Sequence, residues 1–346
     1  MTKKIVLITQ GDPGKLTGGF LYHQKLAELF PEFGCKLEFL SFPEWPFPLP
    51  FAALPLVLKQ WWEARPDATL VDSLIACYFW PLALLSAPFV GIVHQLPGGI
   101  DHTPLRTSLQ AALDRFVYRR AGALIACSGW LAETLSDLQR PVFVAQPGCE
   151  RVGKRGEKPD LLRGHGAAIL SVANWQPVKG VELLLEAFSR LPQGVATLHL
   201  VGNQRLETSY GQSVQARVSK PDLVGRVFVH GVVEPDRLKG YYSSADIFAL
   251  ASHGETYGSV YAEALTAGLP IVGWRTGNLP HLVENEITGL LAEFGETEEL
   301  AASLERLSVD SELRQRMSAR ALERAESLPT WTDAARRVLE ALRVGA

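Results

Sequence analysis

Cysteine is scarce in this chain: four in 346 residues, at Cys35, Cys77, Cys127 and Cys149, with neither a CxxC pair nor the Cys/His spacing of a metal site. That distribution argues against structural zinc and against a disulfide framework, and a reducing cytoplasm is the expected compartment. A long apolar run is also missing; nothing approaches the ~20 residues a membrane helix requires. The opening stretch MTKKIVLITQGD passes straight into a strand-like segment, without the roughly 7 to 15 apolar residues and small-residue cleavage site of a secretory leader. Nor is there an excess of charge of one sign. Lysine and arginine number 34 against 37 acidic residues, a net charge of -3, so nothing directs the chain toward nucleic acid, and an anionic ligand would need a local site. No internal repeat at a fixed period is present.

What is present is a chain long enough for two domains of roughly 150 residues, and a rhythm of short apolar runs followed by longer amphipathic segments. KKIVLIT precedes FLYHQKLAELF, ATLVD precedes SLIACYFWPLALLS, FVGIVH precedes SLQAALDRFVYRRA, and GALIACS precedes WLAETLSDL. Strands and helices in that order build βαβ units and a mostly parallel sheet. Residues 146–166, QPGCERVGKRGEKPDLLRGHG, turn glycine-rich, charged and aperiodic, as a linker does. The rhythm then resumes in AAILSVA, ATLHLVG, RVFVHG, ADIFALA, LPIVGW and TGLLAE, with helical segments between them and three more helical stretches beyond residue 296. The expected fold class is α/β, with two Rossmann-like domains facing each other across a cleft. The expected division is 1–155, 156–325 and a terminal helix in 326–346. Open α/β sheets bind ligands beyond the carboxyl ends of their strands, so the chemistry belongs there.

The stretch HGETYGSVYAEALTAGLPIVG places Glu255 in the loop after ADIFALA and Glu263 in the helix that should start near Gly258 or Ser259. The amides of Tyr257, Gly258 and Ser259 would then point out of a helix N-terminus, where unpaired N–H groups and partial positive charge favour an anion, phosphate first of all. A carboxylate on either side can accept hydrogen bonds from sugar and ribose hydroxyls. On spacing alone, a solvated Glu255 and a surface Glu263 fit equally well.

The segment from Ser252 to Leu291, with Glu255, Gly258, Glu263, Ala264, Ala267, Gly268, Pro270, Gly277 and Gly289, resembles the E-x7-E segment of GT-B glycosyltransferases of family 4. The resemblance extends to Lys179 and Gly180 in SVANWQPVKGVELLLEAF, to Gly202, to His230 and Gly231, to Gly148, to Ser128, and to Gly18 and Gly19 in TGGF. It implies two Rossmann-like domains, a nucleotide sugar held mainly by the C-terminal one, retention of anomeric configuration, and no metal or other cofactor. By position, Glu255 would meet the donor sugar hydroxyls, Glu263 the ribose, and Lys179 the diphosphate, whose departure a fixed cation assists. The backbone at Gly202, His230 and Gly231 would meet the rest of the donor. Gly18 and Gly19 would let a loop approach the phosphates or the acceptor closely; that loop, GDPGKLTGG, has neither the Walker spacing nor a G-x-G-x-x-G fingerprint. His94, at the end of FVGIVH, would lie near the reacting centre, although a lone histidine at a strand end is also a common structural residue. Asp101 and His102 in the following loop are acceptor-site candidates.

The chain departs from the family pattern in two places. Asn174 stands where an arginine is common, so the diphosphate loses a cation unless Arg275 or Arg205 supplies one. The segment GNLPH carries Asn278 and His281 where glycine and glutamate are usual. The N-terminal half is rich in aromatics, Trp45, Trp61, Trp62, Trp80 and Trp130 among them. They read as an acceptor platform, as a peripheral contact with the inner face of a membrane, or as plain core packing. The leading expectation is a retaining transferase that moves a sugar from a nucleoside diphosphate to the hydroxyl of a saccharide, lipid-linked or small-molecule acceptor. The alternatives are a nucleotide-sugar epimerase, a glycoside hydrolase using the two glutamates, and a silent nucleotide-sugar-binding protein.

Overall fold

The computed structural model describes residues 2–14, 18–84, 88–99, 104–150, 159–161 and 166–345. Asp101 and His102 lie outside the described residues. The chain divides into two compact units, Met1–Gly148 together with Pro329–Ala346, and Cys149–Leu328.

The N-terminal unit runs β1 (Lys3–Gln10), α1 (Gly18–Leu29), β2 (Cys35–Phe42), α2 (Leu54–Ala64), β3 (Ala68–Asp72), α3 (Trp80–Ala83), β4 (Val90–Val93), α4 (Pro104–Tyr118), β5 (Ala123–Ala126), α5 (Gly129–Thr134) and β6 (Val142–Val144). Its six strands pair in the order β2-β1-β3-β4-β5-β6, all parallel. Every residue of β4 and β5 is buried, as a parallel sheet covered on both faces demands.

The second unit runs β7 (Ala167–Val172), α6 (Val181–Ser189), β8 (Ala196–Val201), α7 (Ser209–Val218), β9 (Val227–Gly231), α8 (Pro235–Ser244), β10 (Ile247–Leu250), α9 (Ser259–Thr266), β11 (Ile271–Trp274), α10 (Leu279–Leu282), β12 (Gly289–Ala292), α11 (Thr297–Val309) and α12 (Ser311–Glu326). Its parallel sheet has the order β12-β11-β10-β7-β8-β9. Each unit is Rossmann-like. The strand order reverses between β1 and β3 in the first and between β7 and β10 in the second, and such switch points open a crevice beyond the strand ends.

The last helix, α13 (Trp331–Gly345), returns to the N-terminal unit, where it packs against α1, β4, β5 and β6. Ala334, Ala335, Val338, Leu339, Ala341 and Leu342 join a core built from Ile5, Leu7, Leu70, Ile92 and Ile125 on the strands and Tyr22, Leu26 and Phe30 beside α1. Close approach is enforced by small residues: a Cβ on Gly122 would meet the Gly345 carbonyl oxygen at 2.1 Å, and one on Gly148 the Trp331 nitrogen at 2.2 Å.

Two expectations of the sequence need correction. Over its described residues, 73–84, SLIACYFWPLALLS is not a long helix; it forms a tight turn over Ala76–Phe79 and the single helical turn α3. The stretch is apolar on every side, with Ile75, Ala76, Cys77, Tyr78 and Phe79 all buried, so it packs as a plug and lacks the polar face that an amphipathic helix presents. Strands β2 and β6, both edges, go unannounced by the rhythm. Glu38 on β2 is bridged by Lys4 at 2.9 Å and by Lys36 at 3.0 Å, the charged rim that protects an edge strand.

The aromatic stretch folds inward in part. Phe47 and Phe51 pack on the Tyr78 ring, and the Trp61 indole donates to Thr69 Oγ1 at 2.9 Å, whereas Trp45 and Trp62 are exposed. Among the described residues no helix is long and apolar enough to cross a membrane.

Candidate functional site

The switch point of the second unit brings together two loops that the chain separates by 76 residues. One follows β7 and ends in a tight turn over Pro177–Lys179; the other follows β10. His253 N and Ser252 Oγ both donate to the Val178 carbonyl, at 2.7 and 3.0 Å. Gly180 adopts φ +60°, and a Cβ there would lie 1.9 Å from the Ala251 carbonyl oxygen, so only glycine permits this approach. The result is that Lys179 Nζ sits 2.6 Å from Glu255 Oε1, with the two side chains 27% and 13% exposed.

Beyond Glu255 the chain turns through Gly258, at φ +85°, into α9, whose first residue is Ser259, as the sequence led one to expect. The first amides of such a helix have no partner one turn earlier and face outward. The turn is held from below by the loop after β11. Gly277, at φ +57°, presses its backbone against Glu255, since a Cβ there would meet Glu255 N at 2.7 Å. Asn278 N donates to the Glu255 carbonyl at 2.9 Å, and Asn278 Nδ2 donates to the Tyr257 carbonyl at 2.8 Å. Asn278 is fully buried. The residue that departs from the family pattern is thus the clamp of the turn. Asn278→Ala keeps the backbone bond to Glu255 and removes the one to Tyr257, so it should lower stability by about 1 to 3 kcal/mol, the loss expected when one buried carbonyl loses its donor; an unchanged urea midpoint would remove the clamp from the account. His281 is exposed and contributes its backbone carbonyl to Arg324 Nη2 at 2.8 Å.

Glu263 lies on the second turn of α9, half-buried, with the Tyr242 hydroxyl bonded to its carboxyl. Burial raises its pKa and the Tyr242 hydrogen bond opposes the rise. Gly202 (φ +138°) packs against the Ala173 carbonyl and donates its N–H to the Gly231 carbonyl at 2.8 Å. The ring of His230 turns to His199, with Nε2 3.0 Å from His199 Nδ1, and rests on Tyr241. Asn174 accepts the Asn203 amide on Oδ1 at 2.9 Å. Both arginines considered as replacements for its missing charge are paired with acids, Arg205 with Glu207 at 3.3 Å and Arg275 with Glu293 at 2.8 Å.

In the N-terminal unit the strand ends converge on His94. Gly18 and Gly19 are not loop residues: they are the first two residues of α1, and no positive φ requires either to be glycine. A Cβ on Gly19 would come within 3.9 Å of His94 Cδ2, and one on Gly18 would meet nothing. His94 is half-buried, packs edge-on to Tyr22, and its Nε2 lies 2.9 Å from Nε2 of His23, a residue that no motif in the sequence singles out. His23 is wholly buried on α1, with Nδ1 3.8 Å from Asp72 Oδ2. Burial lowers its pKa to about 4, against the pull of Asp72, and lowers that of His94.

A histidine whose folded pKa is depressed contributes stability above its unfolded pKa and loses it as pH falls. Stability should therefore decline by about 1.4 kcal/mol per pH unit between roughly pH 6.5 and 4, as the unfolded imidazole binds a proton that the folded one refuses. His23→Gln should flatten that slope in urea titrations at stepped pH; an unaltered slope would refute the assignment. His23, Asp72 and His94 are also the one group among the described residues whose ligand atoms, all within 4.8 Å of one another, could hold a metal ion.

Comparison with known proteins places these two sites in context. Residues 157–324 match the model of the glycosyl transferases group 1 family, and residues 6–148 match that of a glycosyl transferase 4-like domain. Over 172 residues the chain is 31% identical to a D-inositol 3-phosphate glycosyltransferase of Xylanimonas cellulosilytica, covering 50% of this chain and 41% of that protein. Over 180 residues it is 29% identical to the N-acetyl-alpha-D-glucosaminyl L-malate synthase of Bacillus anthracis, covering 50% of this chain and 46% of that one. The chain thus spans less than half the length of these curated relatives. Among solved structures, a sucrose-phosphate synthase of Thermosynechococcus elongatus superposes with a TM-score of 0.85 at 20% identity, over 99% of this chain and 98% of that one. Anabaena HepE in complex with UDP-glucose gives 0.76 at 20% identity, over 98% and 99%.

Proposed function

We propose that this chain, which belongs to the GT-B glycosyltransferases of family 4, transfers a sugar from a nucleoside-diphosphate donor to an acceptor hydroxyl with retention at the anomeric carbon and without a metal ion. The observation that carries the reading is the Lys179–Glu255 pair at the switch point, beside the first turn of α9. Lys179 is assigned the charge-neutralising role that a divalent cation plays elsewhere, Glu255 and Glu263 those of acceptors for sugar and ribose hydroxyls, and His94 that of a contact to the sugar. The relatives are named for glycosyl transfer, and HepE holds UDP-glucose, which supports a nucleotide sugar as the donor.

Lys179 is bonded to Glu255. An entering diphosphate competes for the ammonium group and releases Glu255 to accept from the sugar. As the bond between the anomeric carbon and the phosphate oxygen breaks, negative charge builds on the diphosphate, where a fixed cation stabilises it most. The acceptor oxygen bonds to the same face of that carbon and its proton passes to the departing phosphate oxygen, so the reaction needs no separate base.

A thermal-shift panel of UDP, GDP and ADP with their hexose conjugates tests this. A ligand at 100 times its dissociation constant stabilises by ~2.7 kcal/mol. The reading expects one conjugate to shift the transition and to be slowly hydrolysed. A shift with no turnover on any acceptor marks a silent binding protein, and no shift with any nucleotide refutes the proposal.

A further inference from the structure

We propose that Asp72 and His23 form a buried positioning relay that sets the tautomer of His94, leaving its Nδ1 unprotonated so that it accepts a hydrogen bond from a sugar hydroxyl. The inference deepens the reading of His94 as a sugar contact and rests on it. The order of the N-terminal sheet assembles the three groups. Thr9 lies near the end of β1, Asp72 ends β3, His94 follows β4, and His23 comes from the helix that follows β1, all at the switch point.

Asp72 is fully buried and is the target of three donors: Thr9 Oγ1 at 2.6 Å on one oxygen, and Ser73 Oγ at 3.2 Å and the Leu74 amide at 3.0 Å on the other. Three donors are the surroundings of an anion. His23 Nδ1 stands 3.8 Å from that carboxylate, too far for a hydrogen bond, and it has no hydrogen-bond partner. The two rings meet through their Nε2 atoms at 2.9 Å, so one proton is shared between two neutral imidazoles.

Two arrangements are open to the rings. If His23 donated from Nε2, its Nδ1 lone pair would face a buried carboxylate, two regions of negative potential with no water to screen them. If His23 instead carries its proton on Nδ1, the N–H points toward Asp72, Nε2 accepts, and His94 donates from Nε2. The second arrangement puts positive against negative. It commits the Nε2 proton of His94 inward and leaves Nδ1, the nitrogen without a partner among the described residues, as a lone pair for a ligand. An imidazole's outer nitrogen is set by what the inner one bonds.

Two-bond 1H–15N correlation spectra of the full chain, labelled at histidine, read both tautomers directly. The relay expects His23 protonated at Nδ1 and His94 at Nε2 in the free protein, and a shift of His94 toward the other tautomer in Asp72→Asn. His94 protonated at Nδ1 in the unaltered chain overturns the proposal whether or not the variant folds. So does zinc binding at micromolar concentration with both rings as ligands, which would make the cluster a metal centre. In kinetics, Asp72→Asn should lower kcat about tenfold while the thermal shift given by the free nucleotide stays unchanged; a loss of that shift instead indicates structural damage and counts against the relay. If no nucleotide binds the unaltered protein, the glycosyl-transfer reading fails while the tautomer result still stands or falls by itself.

Discussion

Lys179→Ala is expected to lower kcat/KM for the preferred donor by about a hundred- to a thousand-fold, or about 3 to 4 kcal/mol of transition-state stabilisation, the range observed when one preorganised electrostatic partner is removed. Its effect on folding should be smaller, about 1 to 2 kcal/mol. The two side chains are 27% and 13% exposed, which places the pair between a surface ion pair, worth about 1 kcal/mol or less, and a fully buried one, whose breaking costs more. That contrast separates a catalytic cation from a structural one. Steady-state kinetics of donor hydrolysis or transfer, set beside urea unfolding of the same variant, gives both numbers. A rate loss under about fivefold, or one that tracks the fraction unfolded, would leave Lys179 as an ordinary surface residue. Restoring a cation with Lys179→Arg should recover only part of the rate, because the planar fork does not occupy the position of a compact ammonium group.

Gly180→Ala should be among the most destabilising single substitutions in the second unit, at about 3 kcal/mol or more. Two effects add. A side chain at φ +60° is strained by roughly 1 to 2 kcal/mol, and the new Cβ would be driven to 1.9 Å from the Ala251 carbonyl oxygen, which sits in rigid backbone at the end of β10. Gly225→Ala provides the control: its φ is +78°, but the Cβ meets nothing within 4 Å, so only the backbone strain applies. For a unit of this size the difference should appear as a melting temperature lower by several degrees in the first variant than in the second. Equal losses would mean that the close approach of the two loops carries no energetic weight. Because that approach presents Lys179 to Glu255, Gly180→Ala should also weaken nucleotide binding in whatever fraction remains folded.

Much of the second unit could be read from the residues alone. Its strands are short apolar runs, two of them, β8 and β9, closed by Gly202 and Gly231, and Gly258 marks the start of α9. Which loops meet was not legible. Lys179 and Glu255 belong together only because β10 inserts beside β7, and hydrophobic periodicity carries no information about strand order. Asn278 stands out in the sequence only as a departure from a familiar pattern; the bond of its amide to the Tyr257 carbonyl is set by backbone geometry and leaves no trace in the sequence. His23 was overlooked although the sequence held a clue: it shares a helical stripe with Leu26 and Phe30, the i, i+3, i+7 spacing of a buried face, and a polar residue on such a face asks for a partner. The family resemblance implies a loop at Gly18 and Gly19, but in place they open a helix.

The return of α13 into the core of the N-terminal unit has a consequence for how the molecule comes into being. Six of its side chains complete a core whose other members all lie between Ile5 and Ala145. A ribosome releases the N-terminal segment first, yet that segment cannot seal its interior until α13 has left the exit tunnel, by which time Cys149–Leu328 has already been free to fold. The unit translated earliest is thus the one finished last, and a nascent chain halted shortly before Pro329 would expose the apolar seat of its missing helix to chaperones and proteases.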